Sequence, residues 1–144
     1  MYSGNQFWPR RSSIGIVLVG LALTAMVGCG GGNPFDQVKV SGKVTYEDGS
    51  PIEAEQIRLV FDSQAKSIDK ATHPRPGNAT VDVQTGEFTC ASTLKFGDGL
   101  VVGPHKVRVY VTDASGVENA VDVTPAEIEV GSGSTTFDFK VKKP

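Results

Sequence analysis

The chain has 144 residues with 14 Lys+Arg, 16 Asp+Glu and 2 His, giving a formal net charge of −2 at pH 7. This near-balanced, slightly acidic composition excludes the strong basic field by which nucleic-acid binders recognise phosphate backbones. A chain of this length is expected to hold one domain that buries about two thirds of its unfolded surface.

The first segment to stand out is hydrophobic. Arg10 and Arg11 make a positive start, and no acidic residue precedes Asp36. The run from Ile14 to Val27 is apolar apart from Thr24 and the glycines Gly15 and Gly20. At about 1.5 Å of helical rise per residue it covers roughly 21 Å, short of a hydrocarbon core of ~30 Å. The length suits the h-region of a signal peptide, an N-terminal helix covering residues 1–28, better than a permanent span. Small residues then lead into a cysteine, and Met26-Val27-Gly28-Cys29 resembles the lipobox of bacterial lipoproteins. Met26 stands where that motif more often has Leu. The resemblance implies cleavage between Gly28 and Cys29, a diacylglyceryl group on the Cys29 sulfur and acylation of the new amino terminus. Several acyl chains together hold a protein stably, at about 0.8 kcal/mol per buried methylene. It also implies an exported protein of the bacterial cell envelope, and Gly30 in place of an aspartate favours an outer-membrane or periplasm-facing site.

Residues 29–35 then read as a lipidated tether, made flexible by Gly30-Gly31-Gly32-Asn33-Pro34. Loss of Arg10 and Arg11 leaves 12 basic against 16 acidic residues, a net charge near −4. With Cys29 lipidated, Cys90 has no disulfide partner. Cys90 alternates with Phe88 and is expected to be a small buried side chain.

Residues 36–144 carry the pattern of a β-domain. Val38, Val40, Gly42, Val44 and Tyr46 alternate with Lys39, Ser41, Lys43, Thr45 and Glu47, the period of a strand with one buried face. Asp48-Gly49 is a turn dipeptide, and Pro51 fixes the exit. Ile57, Leu59 and Phe61 give the next buried face, with Val60 off the pattern. The stretch from Asp62 to Asn78 reads as a surface loop because Pro74 and Pro76 disfavour helix before them. Ala79–Val83 and Glu87–Cys90 read as a hairpin about Thr85-Gly86. Phe96-Gly97-Asp98-Gly99 is a further turn cluster. From Lys106 onward Val107, Val109 and Val111 point inward while Lys106, Arg108 and Tyr110 point outward. Ile128 and Val130 follow, and Phe137, Phe139 and Val141 line the inner face of a last strand.

About seven short strands separated by turns predict an all-β fold, an antiparallel sandwich with Greek-key connections. Three stretches carry a more specific resemblance. Val40-Ser41-Gly42-Lys43-Val44, leading to Asp48-Gly49-Ser50-Pro51-Ile52, looks like the opening of carboxypeptidase-regulatory-like domains. Thr85-Gly86-Glu87-Phe88-Thr89 and Gly103-Pro104-His105-Lys106-Val107 resemble later segments of that family, with Gly103 and Pro104 in inverted order. The resemblance implies a transthyretin-like, or Ig-like, sandwich.

It also implies a non-enzymatic structural or interaction module, with the membrane as partner through Cys29 and an envelope protein or glycan as a further one. The alternative is a module that binds carbohydrate or another small ligand. Trp8 leaves with the signal peptide, so Tyr110 is the candidate exposed aromatic, with His73 and Arg75 in the loop before the Ala79 strand as further contacts. No catalytic residue is assigned. His73 and His105 lie far apart, each read as solvated, and the chain ends Lys142-Lys143-Pro144, without the terminal Tyr-Arg-Gly-Ser of ring-hydrolysing transthyretin-like enzymes. Asp82, Asp98, Asp113 and Asp122 lack metal-ligand spacing, so neither metal nor cofactor is expected. A Lys–Asn amide crosslink is disfavoured because Lys43 faces outward and the last strand offers Asp138. Lys140, Lys142 and Lys143 are read as keeping the last strand soluble.

Overall fold

The computed structural model describes residues 33–131, 133 and 135–143. The expected signal peptide, its expected Gly28–Cys29 cleavage site and the first residues of the expected tether lie outside these. The described chain forms eleven strands and no helix: β1 (Gln37–Val38), β2 (Ser41–Tyr46), β3 (Gln56–Ser63), β4 (Gly77–Val81), β5 (Glu87–Phe88), β6 (Leu100–Val101), β7 (Gly103–Thr112), β8 (Glu118–Val121), β9 (Val123–Thr124), β10 (Glu127–Val130) and β11 (Thr136–Val141). They build a β-sandwich. One layer has the order β10-β7-β3-β4, with β8 beside β10 on the same edge of β7; the other has the order β5-β2-β11-β9. β1 and β6 form a separate ribbon.

The alternating residues lie where their period puts them. Val44, Ile57, Leu59, Phe61, Val107, Val109, Phe139 and Val141 are all buried. Phe61 from one layer meets Phe88 and Phe139 from the other, with ring centroids 6.2 and 6.0 Å away, and the latter two are 6.3 Å apart. Such rings bind the layers through buried area and through tilted or offset contacts of about 0.5–1.5 kcal/mol each.

Four expectations need correction. The sandwich is not wholly antiparallel: β11 runs parallel to β2 over six paired positions, from Ser41↔Thr136 to Tyr46↔Val141. A parallel pair needs a long crossover, and here the whole intervening domain supplies it. The single strand expected over 38–47 is broken after Val38, because β1 turns aside to pair with β6 (Gln37↔Val101). Gly99 makes this possible. Its φ is +99°, and a Cβ there would stand 2.3 Å from the Val38 carbonyl oxygen.

The expected hairpin about Thr85-Gly86 is only half formed. Asp82 N–H donates to the Glu87 carbonyl (2.8 Å) and Asn78 exchanges backbone bonds with Ser92, but β5 belongs to the opposite layer, pairing Phe88 with Gly42. This crossing shifts the side-chain phase, so Ala91 is sealed in the core and Cys90 is half-buried. The loop expected over 62–78 is shorter at both ends, since β3 runs on to Ser63 and β4 begins at Gly77.

Register divides the sandwich into two poles. The chain enters at one, the tether pole, where Val102 N–H donates to the Asp36 carbonyl (2.9 Å) and Gln64 N–H to that of Pro104 (2.7 Å). Segments 33–40, 64–76 and 89–102 gather there, with Gly131 after β10 and Thr135 before β11. The far pole holds turns 47–55, 82–86 and 113–117 and Lys143, tied by Glu55 N–H to the Thr112 carbonyl (2.9 Å) and by Lys143 to Asp48 (3.5 Å).

Truncating a ring at the junction of the layers leaves a cavity that neither sheet closes. Phe139→Ala should therefore lower unfolding free energy by about 3–5 kcal/mol, read as a shift of the urea midpoint at unchanged slope.

Candidate functional site

The outward side of the broad layer carries the residue singled out for ligand contact. Tyr110 on β7 lies opposite Arg58 of β3 and Ala120 of β8. Its ring is half-buried beneath two guanidinium groups, Arg58 at 4.6 Å and Arg108 at 5.9 Å from the centroid. Arg108 also donates to the Tyr110 hydroxyl (3.0 Å). Each arginine has a carboxylate partner. Arg58 binds Glu118 through Nε (3.1 Å) and Nη2 (2.8 and 2.9 Å), and Arg108 pairs with Asp62. The tyrosine is thus one member of a cross-strand ladder of ion pairs and cation–π contacts. Its faces are taken by side chains of the same sheet.

His73 and Arg75 are exposed, in the loop between β3 and β4. His73 is held by that loop: Lys70 carbonyl accepts from Nε2–H (3.0 Å), and Ser67 O–H donates to Nδ1 (2.6 Å). This loop follows Ser63, whereas Tyr110 pairs with Arg58, and the five residue steps from Arg58 to Ser63 span roughly 17 Å of strand. The structure does not gather Tyr110, His73 and Arg75 into one site.

Three of the four scattered aspartates have another task. Asp82 accepts from the backbone N–H of Gln84 and Thr85, and Asp113 from those of Ser115 and Val117. Asp98 accepts from Thr93 N–H (2.6 Å), Leu94 N–H (2.9 Å), Lys95 N–H (2.9 Å) and the Thr93 hydroxyl (2.9 Å). Partial burial alone would raise the pKa of Asp98; the donors of Thr93, Lys95 and Leu94 outweigh it and hold the carboxyl below the usual range. Among the described residues no group of three or more His, Cys, Asp or Glu is placed to hold a metal.

Lys43, Glu87 and Asp138 come together on the outer face of the narrow layer, where Lys43 is registered with both acids. All three are exposed, so the lysine keeps its hydration, and the arrangement lacks the dry setting that amide formation requires. Beside β4 a concavity of about 350 Å³ is lined by Arg58, Asn78, Thr80, Thr89, Cys90 and Phe96. Phe96 at its rim is 92% exposed.

His105 departs from its expected solvated place. It is the inward residue one step before Val107 and is 1% exposed. Its Nδ1 lies 3.0 Å from the Gly103 carbonyl, which only accepts, so Nδ1 carries the hydrogen and Nε2 is left with an unpartnered lone pair. Burial pushes its pKa down against the Gly103 carbonyl and the charges of Glu129 and Asp62, which favour the cation. The alternation of β7 extends back to this residue, but the preceding Gly103-Pro104 hides it. The ion-pair ladder escapes sequence reading more completely, because its members lie on three strands.

Comparison of the chain with protein-family models, with curated proteins and with solved structures finds no match in any of the three.

The buried imidazole makes stability depend on pH. The unfolded chain takes up a proton near the ordinary histidine value of 6.5 and the folded chain at a lower pH, so stability is lost as pH falls through 6.5. Urea midpoints of the wild type should fall between pH 7 and pH 5, and those of His105→Gln should change less. Equal slopes in both proteins would remove His105 as the cause.

Proposed function

We propose that the chain is an exported, lipid-anchored and non-enzymatic protein of the bacterial envelope, in which a transthyretin-like Greek-key sandwich acts as a structural or interaction module. The observation that carries this reading is the position of Cys29. It ends a lipobox-like sequence and stands only four residues before Asn33, where the described domain begins. Acyl chains on that cysteine would hold the sandwich directly at a bilayer. The crossings of the chain between layers, from β2 to β3 and from β4 to β5, favour the Greek-key reading.

The conspicuous charged side chains support a binding or structural role over catalysis. Arg58, Arg108, Glu118 and Asp62 satisfy one another across strands, and the turn aspartates satisfy backbone N–H groups. The carbohydrate-binding alternative is weakened because the ring of Tyr110 is covered by Arg58.

Anchoring is tested by Cys29→Ala. The wild type should fractionate with membranes and incorporate labelled fatty acid. The variant should incorporate none and should accumulate as uncut precursor or leave the acyl-anchored fraction. Equal membrane association and labelling of the two proteins would refute the anchor.

A further inference from the structure

The two poles differ in chemistry. Among the described residues the large apolar side chains left exposed are Ile68, Leu94, Phe96, Val102 and Val117, and all but Val117 belong to segments of the tether pole. Phe96 is 92% exposed and Ile68 59%. The segment of Leu94, Phe96 and Val102 meets the start of the domain, where the Gln37 side-chain amide donates to the Thr93 hydroxyl and Val102 N–H to the Asp36 carbonyl; the Ile68 loop leaves β3 beside it, with Gln64 N–H donating to the Pro104 carbonyl.

Charge is divided in the same sense. Tether-pole segments 33–40, 64–76 and 89–102 hold five cations, Lys39, Lys66, Lys70, Arg75 and Lys95, against three carboxylates. Two of these carboxylates, Asp69 and Asp98, are bound to backbone N–H groups of their own loops. Turns 47–55, 82–86 and 113–117 at the far pole hold six carboxylates and no lysine or arginine of their own; Lys143 pairs with Asp48, and Lys43 and Lys140 line a hollow with Gly49. The C-terminal lysines thus lie away from the end where the chain enters. In an anionic surface potential this distribution turns the tether pole inward and the far pole outward.

We propose that the tether pole is a lipid-docking surface, with Phe96, Leu94, Ile68 and Val102 entering the interfacial region of an anionic bilayer and the neighbouring lysines and Arg75 resting on its headgroups. The proposal rests on the anchor at Cys29. Asn33 is four residue steps from Cys29, a reach of at most about 14 Å when extended, so the pole that receives the tether is held at the membrane. Val117 lies beyond the full length of β7, whose ten residues extend about 33 Å. The apolar side chains are dispersed over separate loops and interleaved with cations. That pattern suits independent insertion into a fluid interface and lacks the continuous, shape-complementary core of a protein–protein contact.

The test uses the full chain, purified from membranes and reconstituted in vesicles of phosphatidylglycerol and brominated phosphatidylcholine. A Trp8→Phe background removes the natural tryptophan whether or not the leader is cut. In it, Phe96→Trp reports on the tether pole and Val117→Trp on the far pole, both at exposed positions. The expected result is loss of about half the Phe96→Trp emission to bromine, weakening with added salt, and no loss for Val117→Trp. Equal quenching of the two, or quenching of neither, in vesicle-bound protein overturns the docking surface and leaves the anchor standing. A blue shift of Phe96→Trp without bromine quenching also overturns it and assigns the patch to a protein contact. Failure of the protein with Cys29 intact to remain on vesicles overturns anchor and docking surface together.

Discussion

Three phenylalanine rings close the sandwich. Phe61 reaches from β3, and Phe88 and Phe139 from β5 and β11, to meet between the layers. This meeting depends on Gly42. A Cβ at Gly42 would stand 1.8 Å from the Phe137 carbonyl oxygen and 2.9 Å from the Phe88 ring, so only glycine lets β5, β2 and β11 lie together in register. The parallel pairing of β2 and β11 follows, and with it the placing of Asn33 and Lys143 at opposite poles. Without an intrachain disulfide in the described domain, core packing must hold that arrangement.

Much of the architecture is legible from alternation alone. Val44, Leu59, Phe61, Val109 and Phe139 declare their buried faces by period two, and Asp48-Gly49 declares its turn. What alternation does not carry is the choice of partner. Glu87-Phe88 looks the same whether it pairs with β4 or with β2, and the crossing to β2 is what leaves Cys90 half-buried and seals Ala91 in the core. His105 is concealed by Gly103-Pro104, which looks like a loop yet begins β7. The candidate site is legible only in part. Tyr110 faces outward as its phase requires, but the covering by Arg58 and the pairing of Arg58 with Glu118 depend on β3, β7 and β8 lying side by side.

The polar side chains of the domain are largely turned to structure. Aspartates organise turns, arginines and glutamate or aspartate brace the broad sheet, and His105 sits neutral in the core. What remains exposed without an internal role is concentrated where the tether arrives: Phe96, Leu94, Ile68 and Val102, set among lysines. A domain held by acyl chains at Cys29 would present this pole to lipid and its acidic pole to the space beyond. A partner protein or glycan would then be met through the far pole or the long edges of the sheets.

This account stands on the chemical state of one residue. Intact-mass measurement of the protein extracted from membranes addresses it directly. The account predicts a chain beginning at Cys29, lacking residues 1–28 and heavier than that polypeptide by a diacylglyceryl group and an amide-linked acyl chain. A mass equal to the unmodified polypeptide, whether it begins at Met1 or at any later residue, would contradict it.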